Sequence, residues 1–168
     1  MKDLHLQVPG SMVNTVGKND VVAIRAYLAG LIDADGAIMA IIEPHKEKRF
    51  RFRVRVVIKV TQHQPEVLEW LLDTFGAGKV VINRTAYDWI IRSQKDALVL
   101  LTLVSPYLRV KSKQAKLAKE ILGSIPTTQD EFLQIVRKAD ALSKLNVRST
   151  NRRLNTAAMV QAAFSRND

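Results

Sequence analysis

The chain predicts an α+β fold in the order helix, two strands, helix, two strands, helix, with further helices toward the C-terminus. Three observations carry that prediction. Between Arg49 and Thr61 residues alternate with period two, Phe50, Phe52, Val54, Val56 and Ile58 against Arg49, Arg51, Arg53, Arg55 and Lys59, with only Val57 out of step. Apolar residues from Val67 to Phe75 recur at helical spacing, as small and apolar ones do before Asp33. Beyond Ser112 the pattern is helical almost throughout.

Asp20 suits the N-cap of a helix from Val21 that sets Ala26, Ala29 and Gly30 on one face, where small side chains permit close backbone approach. That helix runs into Asp33, Asp35 and Gly36. Ala37 to Glu43, rich in Ile, reads as a strand ended by Pro44, and the turn His45 to Lys48 returns the chain into the alternating strand from Arg49 to Thr61. Pro65 opens a helix that carries Val67, Leu68, Leu71, Leu72 and Phe75 inward and stops at Gly76. Lys79 to Asn83 and Tyr87 to Ser93 are strands about a short polar turn, and a helix from Lys95 ends before Pro106. Ser112 to Leu122 is a helix closed by Gly123. Thr128 and Glu131 have capping-box spacing and open a helix to about Leu145. Arg148 to Asn155 is a polar loop, and Thr156 to Phe164 a short helix with Ala157, Val160 and Phe164 along one side.

A chain of 168 residues can bury a core without disulfides or structural metal, and it reads as one domain over 1–168, with 1–19 as an N-terminal extension and 112–168 as C-terminal helices. The lack of cysteine removes disulfides, thiolate zinc sites and a cysteine nucleophile together. No apolar run has signal-peptide or membrane-spanning character, so the expectation is a soluble, intracellular protein of a prokaryotic cytoplasm or an organelle, with no membrane partner. A net charge of +10 favours a polyanion where it is clustered. Seven basic residues and one acid lie between Lys46 and Lys59, and further basic sets fall at Arg109, Lys111, Lys113 and Lys116 and at Arg148, Arg152 and Arg153.

From the residues alone, an Asp-x-Asp pair at a helix exit reads as a set of caps for neighbouring turns that does no chemistry. Residues Leu28 to Gly36 spell LAGLIDADG, however, and the chain resembles the LAGLIDADG homing endonucleases of single-motif type. The order of elements matches that family's αββαββα core over roughly Asp20 to Phe164. The resemblance implies a saddle-shaped antiparallel sheet and a Mg2+-dependent cut of both DNA strands. It makes Asp35 a metal ligand together with the backbone carbonyl of Gly36, and gives Asp33 a structural role toward the partner helix. Gln62, in Val60-Thr61-Gln62, takes the position that orients the nucleophilic water. Lys111, in Tyr107-Leu-Arg-Val-Lys-Ser-Lys-Gln, takes that of a pocket lysine that stabilises a phosphate oxyanion. Asp35, Gln62 and Lys111 are therefore the implied catalytic set. A second basic residue common shortly after the glutamine is missing from His63-Gln-Pro-Glu-Val, which leaves His63 or Lys113 in its place. Mn2+ is expected to replace Mg2+, and Ca2+ to support binding without cleavage, with no small-molecule cofactor.

For DNA, the resemblance places Met39, Ile41, Glu43, Arg49, Arg51, Arg53, Arg55, Val57 and Lys59 on the saddle, joined by Asn83, Arg84, Asp88, Ile90 and Arg92 from the second strand pair. Such a ribbon fits the major groove, where Arg pairs with guanine O6 and N7. Lys113, Arg148, Ser149, Arg152 and Arg153 suit phosphate contacts. One motif copy implies a homodimer on a pseudo-palindromic site, with Ala26, Ala29, Gly30 and Asp33 at the interface. The alternative is a non-cleaving binder on the same scaffold, an intron RNA maturase or a DNA-binding regulator.

Overall fold

The computed structural model describes residues 18–146 and 155–166. Helix α1 (Lys18–Asp35) leads through Gly36 into strands β1 (Gly36–Pro44) and β2 (Phe52–Gln62), followed by α2 (Glu66–Phe75), β3 (Lys79–Asn83), β4 (Ala86–Ile91) and α3 (Gln94–Val104). Three more helices complete the described chain: α4 (Ser112–Leu122), α5 (Gln129–Leu145) and α6 (Ala157–Phe164). The strands form one antiparallel sheet in the order β1-β2-β4-β3. This is the α+β arrangement the sequence predicts, with element ends shifted by a residue or two, among them β4 ending at Ile91 rather than Ser93, and two larger differences.

First, α1 already includes Asp20, so its start lies before Val21. Second, β2 begins at Phe52 rather than Arg49, and residues 45–51 form a compact loop closed by His45 N donating to Arg51 O at 2.8 Å. The cause is tertiary. Phe50 leaves the strand to stack on Phe132 at 5.0 Å and to approach Phe164 at 6.4 Å. Arg51 takes a left-handed φ of 57° and donates from Nη1 to Lys46 O.

Register sorts the sheet into two faces. Ile38 lies opposite Ile58, Ala40 opposite Val56, and Val60 opposite Trp89. All six are buried beneath the helices, with Leu28 and Ile32 of α1, Leu68 and Leu71 of α2, and Leu100 and Leu101 of α3. Trp89 is fully buried, and its indole N–H is satisfied by Ala77 O at 2.9 Å. The helix signals act as expected where they concern local backbone. Gly76 stops α2 at φ 60° and donates to Leu72 O, and Thr128 and Glu131 form a reciprocal capping box on α5.

Side-chain amides finish the sheet where no strand does. Gln94 pairs with both the N–H and the C=O of Val56, at 2.8 and 3.0 Å, on the stretch of β2 that β4 does not reach. Along the outer edge of β1, Asn146 donates to Ile38 O and Asn155 to Ile42 O. Among the described residues no helix is long and apolar enough to cross a membrane.

Candidate active site and nucleic-acid interface

Gly36 fixes how the acidic turn leaves α1. A Cβ there would lie 2.6 Å from Ile32 Cα and 2.8 Å from Ile32 O, so the strand starts this close to the helix only without a side chain. The two carboxylates flanking this turn then diverge. Asp35 is exposed and accepts a hydrogen bond from Gln62 Nε2 at 2.8 Å, a residue brought across by the end of β2. Asp33 turns to its own chain. Its carboxylate accepts the backbone N–H groups of Arg109 (2.6 Å), Val110 (3.1 Å) and Lys111 (2.8 Å), and its carbonyl accepts the Lys111 ammonium. Burial pushes the Asp33 carboxyl upward, but the N–H bonds from Arg109, Lys111 and Val110, with the Lys111 charge, outweigh it and hold the group below the usual carboxylate range.

Three segments far apart in sequence thus meet at one turn: Asp35 from α1, Gln62 from β2, and Lys111 from the loop before α4. Lys113 is exposed as the second residue of α4, and His63 is exposed beside Thr85 O at 3.4 Å. Among the described residues no three His, Cys, Asp or Glu side chains gather to hold a metal ion, and Asp33 is committed to backbone N–H groups. At this turn, among the described residues, Asp35 is the carboxylate left to meet a hard cation, next to the Gly36 carbonyl and with its Oδ2 already accepting from Gln62.

The face of the sheet away from the helices carries Met39, Ile41 and Glu43 of β1, Arg53, Arg55, Val57 and Lys59 of β2, and Asp88 and Ile90 of β4, with Arg92 just beyond. Eight of these, all but Arg53 and Asp88, line one shallow hollow. Its charges are partly tied together: Glu43 Oε2 takes Arg53 Nε at 2.6 Å and Arg55 Nη2 at 3.3 Å.

A family model described as LAGLIDADG endonuclease matches residues 28–121 of the chain. The chain belongs to the LAGLIDADG endonuclease family. It is 33% identical over 143 residues to DNA endonuclease I-CreI of Chlamydomonas reinhardtii, spanning 82% of this chain and 86% of that one. It is 32% identical over 108 residues to DNA endonuclease I-CvuI of Chlorella vulgaris, spanning 62% and 67%. Among solved structures, homing endonuclease I-CvuI in complex with its target in the presence of calcium superposes with a TM-score of 0.79 at 26% identity, over 87% of this chain and 95% of the other. The same enzyme with the I-CreI target and magnesium, its DNA not cleaved, superposes at 0.78 with 27% identity over the same shares.

Against this LAGLIDADG frame, several sequence-derived placements need correction. Arg49 and Arg51 are not on the saddle, because the loop before β2 removes them; Arg49 instead lies over the Phe50 ring at 5.5 Å. Asp88 is only 4% exposed, and both its oxygens are taken by Thr61 (2.6 Å), Asn83 (2.9 Å) and Lys59 (3.1 Å), so it organises neighbours rather than facing a base. Val57 is buried beneath the hollow. Ala29 is fully buried in the protomer core, whereas Ala26 and Gly30 are exposed, so the open face of α1 is narrower than expected. Asp33 serves its own chain, as described above. Asn83 and Arg84 are exposed at the β3–β4 turn, with Arg84 at φ 56°. Arg148, Ser149, Arg152 and Arg153 lie outside the described residues.

Sequence reasoning missed that Asp33 holds the Lys111 segment, because nothing local marks a partner 76 to 78 residues away. It also missed the ties within the saddle. The cross-strand register of Glu43 with Arg53 is a signal that the two strand readings, laid together, contained.

Proposed function

We propose that this protein is a homing endonuclease that, as a homodimer, hydrolyses one phosphodiester in each strand of a long pseudo-palindromic DNA duplex and so promotes the mobility of its intron or intein. The observation that carries the reading is the convergence of Asp35, Gln62 and Lys111 on the turn at the end of α1, at one end of a sheet face that bears Arg53, Arg55, Lys59 and Arg92. The family and the DNA-bound relatives support the substrate class.

Asp35, with the Gly36 carbonyl, supplies oxygen ligands on one side, and the same turn of a second copy completes the set at the twofold axis. Mg2+ fits such hard ligands, Mn2+ replaces it, and Ca2+ supports binding without cleavage. When bound, the cation activates water and neutralises charge on the scissile phosphate. Gln62 holds the Asp35 carboxylate through its Nε2, which leaves its amide oxygen to orient the attacking water. Lys111 places an ammonium beside the turn, where it meets charge developing on a phosphate oxygen. The exposed face of α1 bearing Ala26 and Gly30 brings the copies together. Arg53, Arg55 and Arg92, with Met39 and Ile41, meet base edges, while Lys113 and the basic residues 148, 152 and 153 meet phosphates.

The test is a cleavage screen on a randomised duplex library with Mg2+, then Mn2+, then Ca2+. Cut ends with the first two and bound, intact duplex with the third are expected. Sequence-specific binding without cutting in any of them would overturn the enzyme reading.

A further inference from the structure

Two carboxylates stand on the face proposed to meet DNA, and they differ in what they have left to offer. Asp88 is buried and both of its oxygens are occupied. Glu43 is different: its side chain is 30% exposed, both of its basic partners share the single oxygen Oε2, and Oε1 accepts no hydrogen bond from the described residues. A carboxylate aimed at a polyanion is repelled unless it meets a donor. In the major groove the donors are the exocyclic amines, and an acceptor-only group suits cytosine N4 better than adenine, whose neighbouring N7 is itself an acceptor.

The partners complete the pattern. Arg53 is held through Nε, so its two terminal nitrogens stay available in a fixed fork, the geometry that pairs with guanine O6 and N7. Arg55 reaches the same oxygen through Nη2, from two residues further along β2 on the same face. We infer that Glu43, with Arg53 and Arg55, is a specificity-determining cluster that reads a G·C step, Glu43 accepting from the cytosine amine and an arginine fork facing guanine.

Register gives the place. Glu43 opposite Arg53 lies at the loop end of the β1–β2 ribbon, and Gly36 opposite Val60, beside Asp35, lies at the other. The G·C requirement therefore falls in the outer part of each half-site, away from the pairs that flank the cut. This inference rests on the DNA-binding reading above.

The test recovers bound duplexes from a fully randomised pool in Ca2+, with wild type, Glu43→Gln and Arg53→Ala. Wild type should enrich cytosine at one outer position of each half-site, with a guanine for the arginine fork in the adjacent pair. Glutamine carries both a donor and an acceptor and pairs with adenine N6 and N7, so Glu43→Gln should switch that position from cytosine to adenine, with a change in relative preference of about tenfold. Arg53→Ala should relax the guanine preference there. Both variants should keep the wild-type preferences beside the cut, which a general loss of folding would not spare. An unchanged outer preference in Glu43→Gln, or a wild type indifferent to sequence at every outer position, would overturn the inference. A wild type that enriches no duplex would overturn the DNA-binding reading and this inference with it.

Discussion

Replacing Gly36 by Ala tests whether the approach of β1 to α1 sets the position of the acidic turn proposed to be catalytic. The new Cβ would lie 2.6 Å from Ile32 Cα, against the 3.4 Å at which ordinary contact begins, so the backbones must part by about 0.8 Å (3.4 − 2.6). Neither neighbour can yield by a side-chain rotation, because the contacts are backbone atoms of a helix whose Ile32 side chain is fully buried. Overpacking of this kind costs about 1–3 kcal/mol, which for a chain of this size lowers the melting temperature by roughly 2–12 °C. The larger effect is on chemistry. Gly36 follows Asp35 directly, and a displacement approaching 1 Å at a catalytic group costs on the order of 100-fold in rate. Single-turnover cleavage of the selected duplex in Mg2+ should show that loss, while affinity in Ca2+ stays within about tenfold, since no base contact is removed. A variant that melts with wild type and cuts at its rate would refute the argument.

The same substitution one helical stretch earlier has the opposite expectation. A Cβ at Gly30 meets nothing within 4 Å in the protomer, so Gly30→Ala should raise intrinsic helix stability by about 1 kcal/mol while weakening self-association, and sedimentation over a dilution series checks it; a stabilised variant with wild-type association would remove Gly30 from the interface. Asp33 supplies a pH dependence. Its carboxyl is held below the usual range in the folded chain, so the contribution is complete above about pH 4 and is lost as pH falls through the folded value. Thermal melts should therefore fall more steeply in acid for wild type than for Asp33→Asn, and equal slopes would contradict the role. Asp35→Asn and Lys111→Ala should each abolish or cut cleavage by at least about 100-fold, with Ca2+-dependent binding within about tenfold of wild type, and full activity in either would remove that residue from the mechanism.

What the sequence made legible was what neighbours decide. Pro65, Gly76 and the Thr128 and Glu131 pair act within a turn of themselves, and the alternation from Phe52 onward needs only the pleat. The error at Arg49 and Arg51 arose because period two continued on paper through Phe50, while in the fold that ring is claimed by Phe132 and Phe164, more than eighty residues away. The site divides in the same way. Asp35 and Gly36 are set by one helix end, but the burial of Asp88 and the commitment of Asp33 depend on which groups other strands and loops bring within reach. Alternation marks a face as polar without saying which of its charges neutralise each other.

The asparagines against β1 bear on how copies of this chain can meet. An outermost strand with open carbonyls is a template on which a neighbouring chain can add its own, without limit on number. Amide donors from Asn146 and Asn155 already occupy Ile38 O and Ile42 O, four residues apart along that margin. Growth by ribbon addition is obstructed there, so strands cannot add at both margins of the sheet and an open-ended fibre built edge to edge is disfavoured.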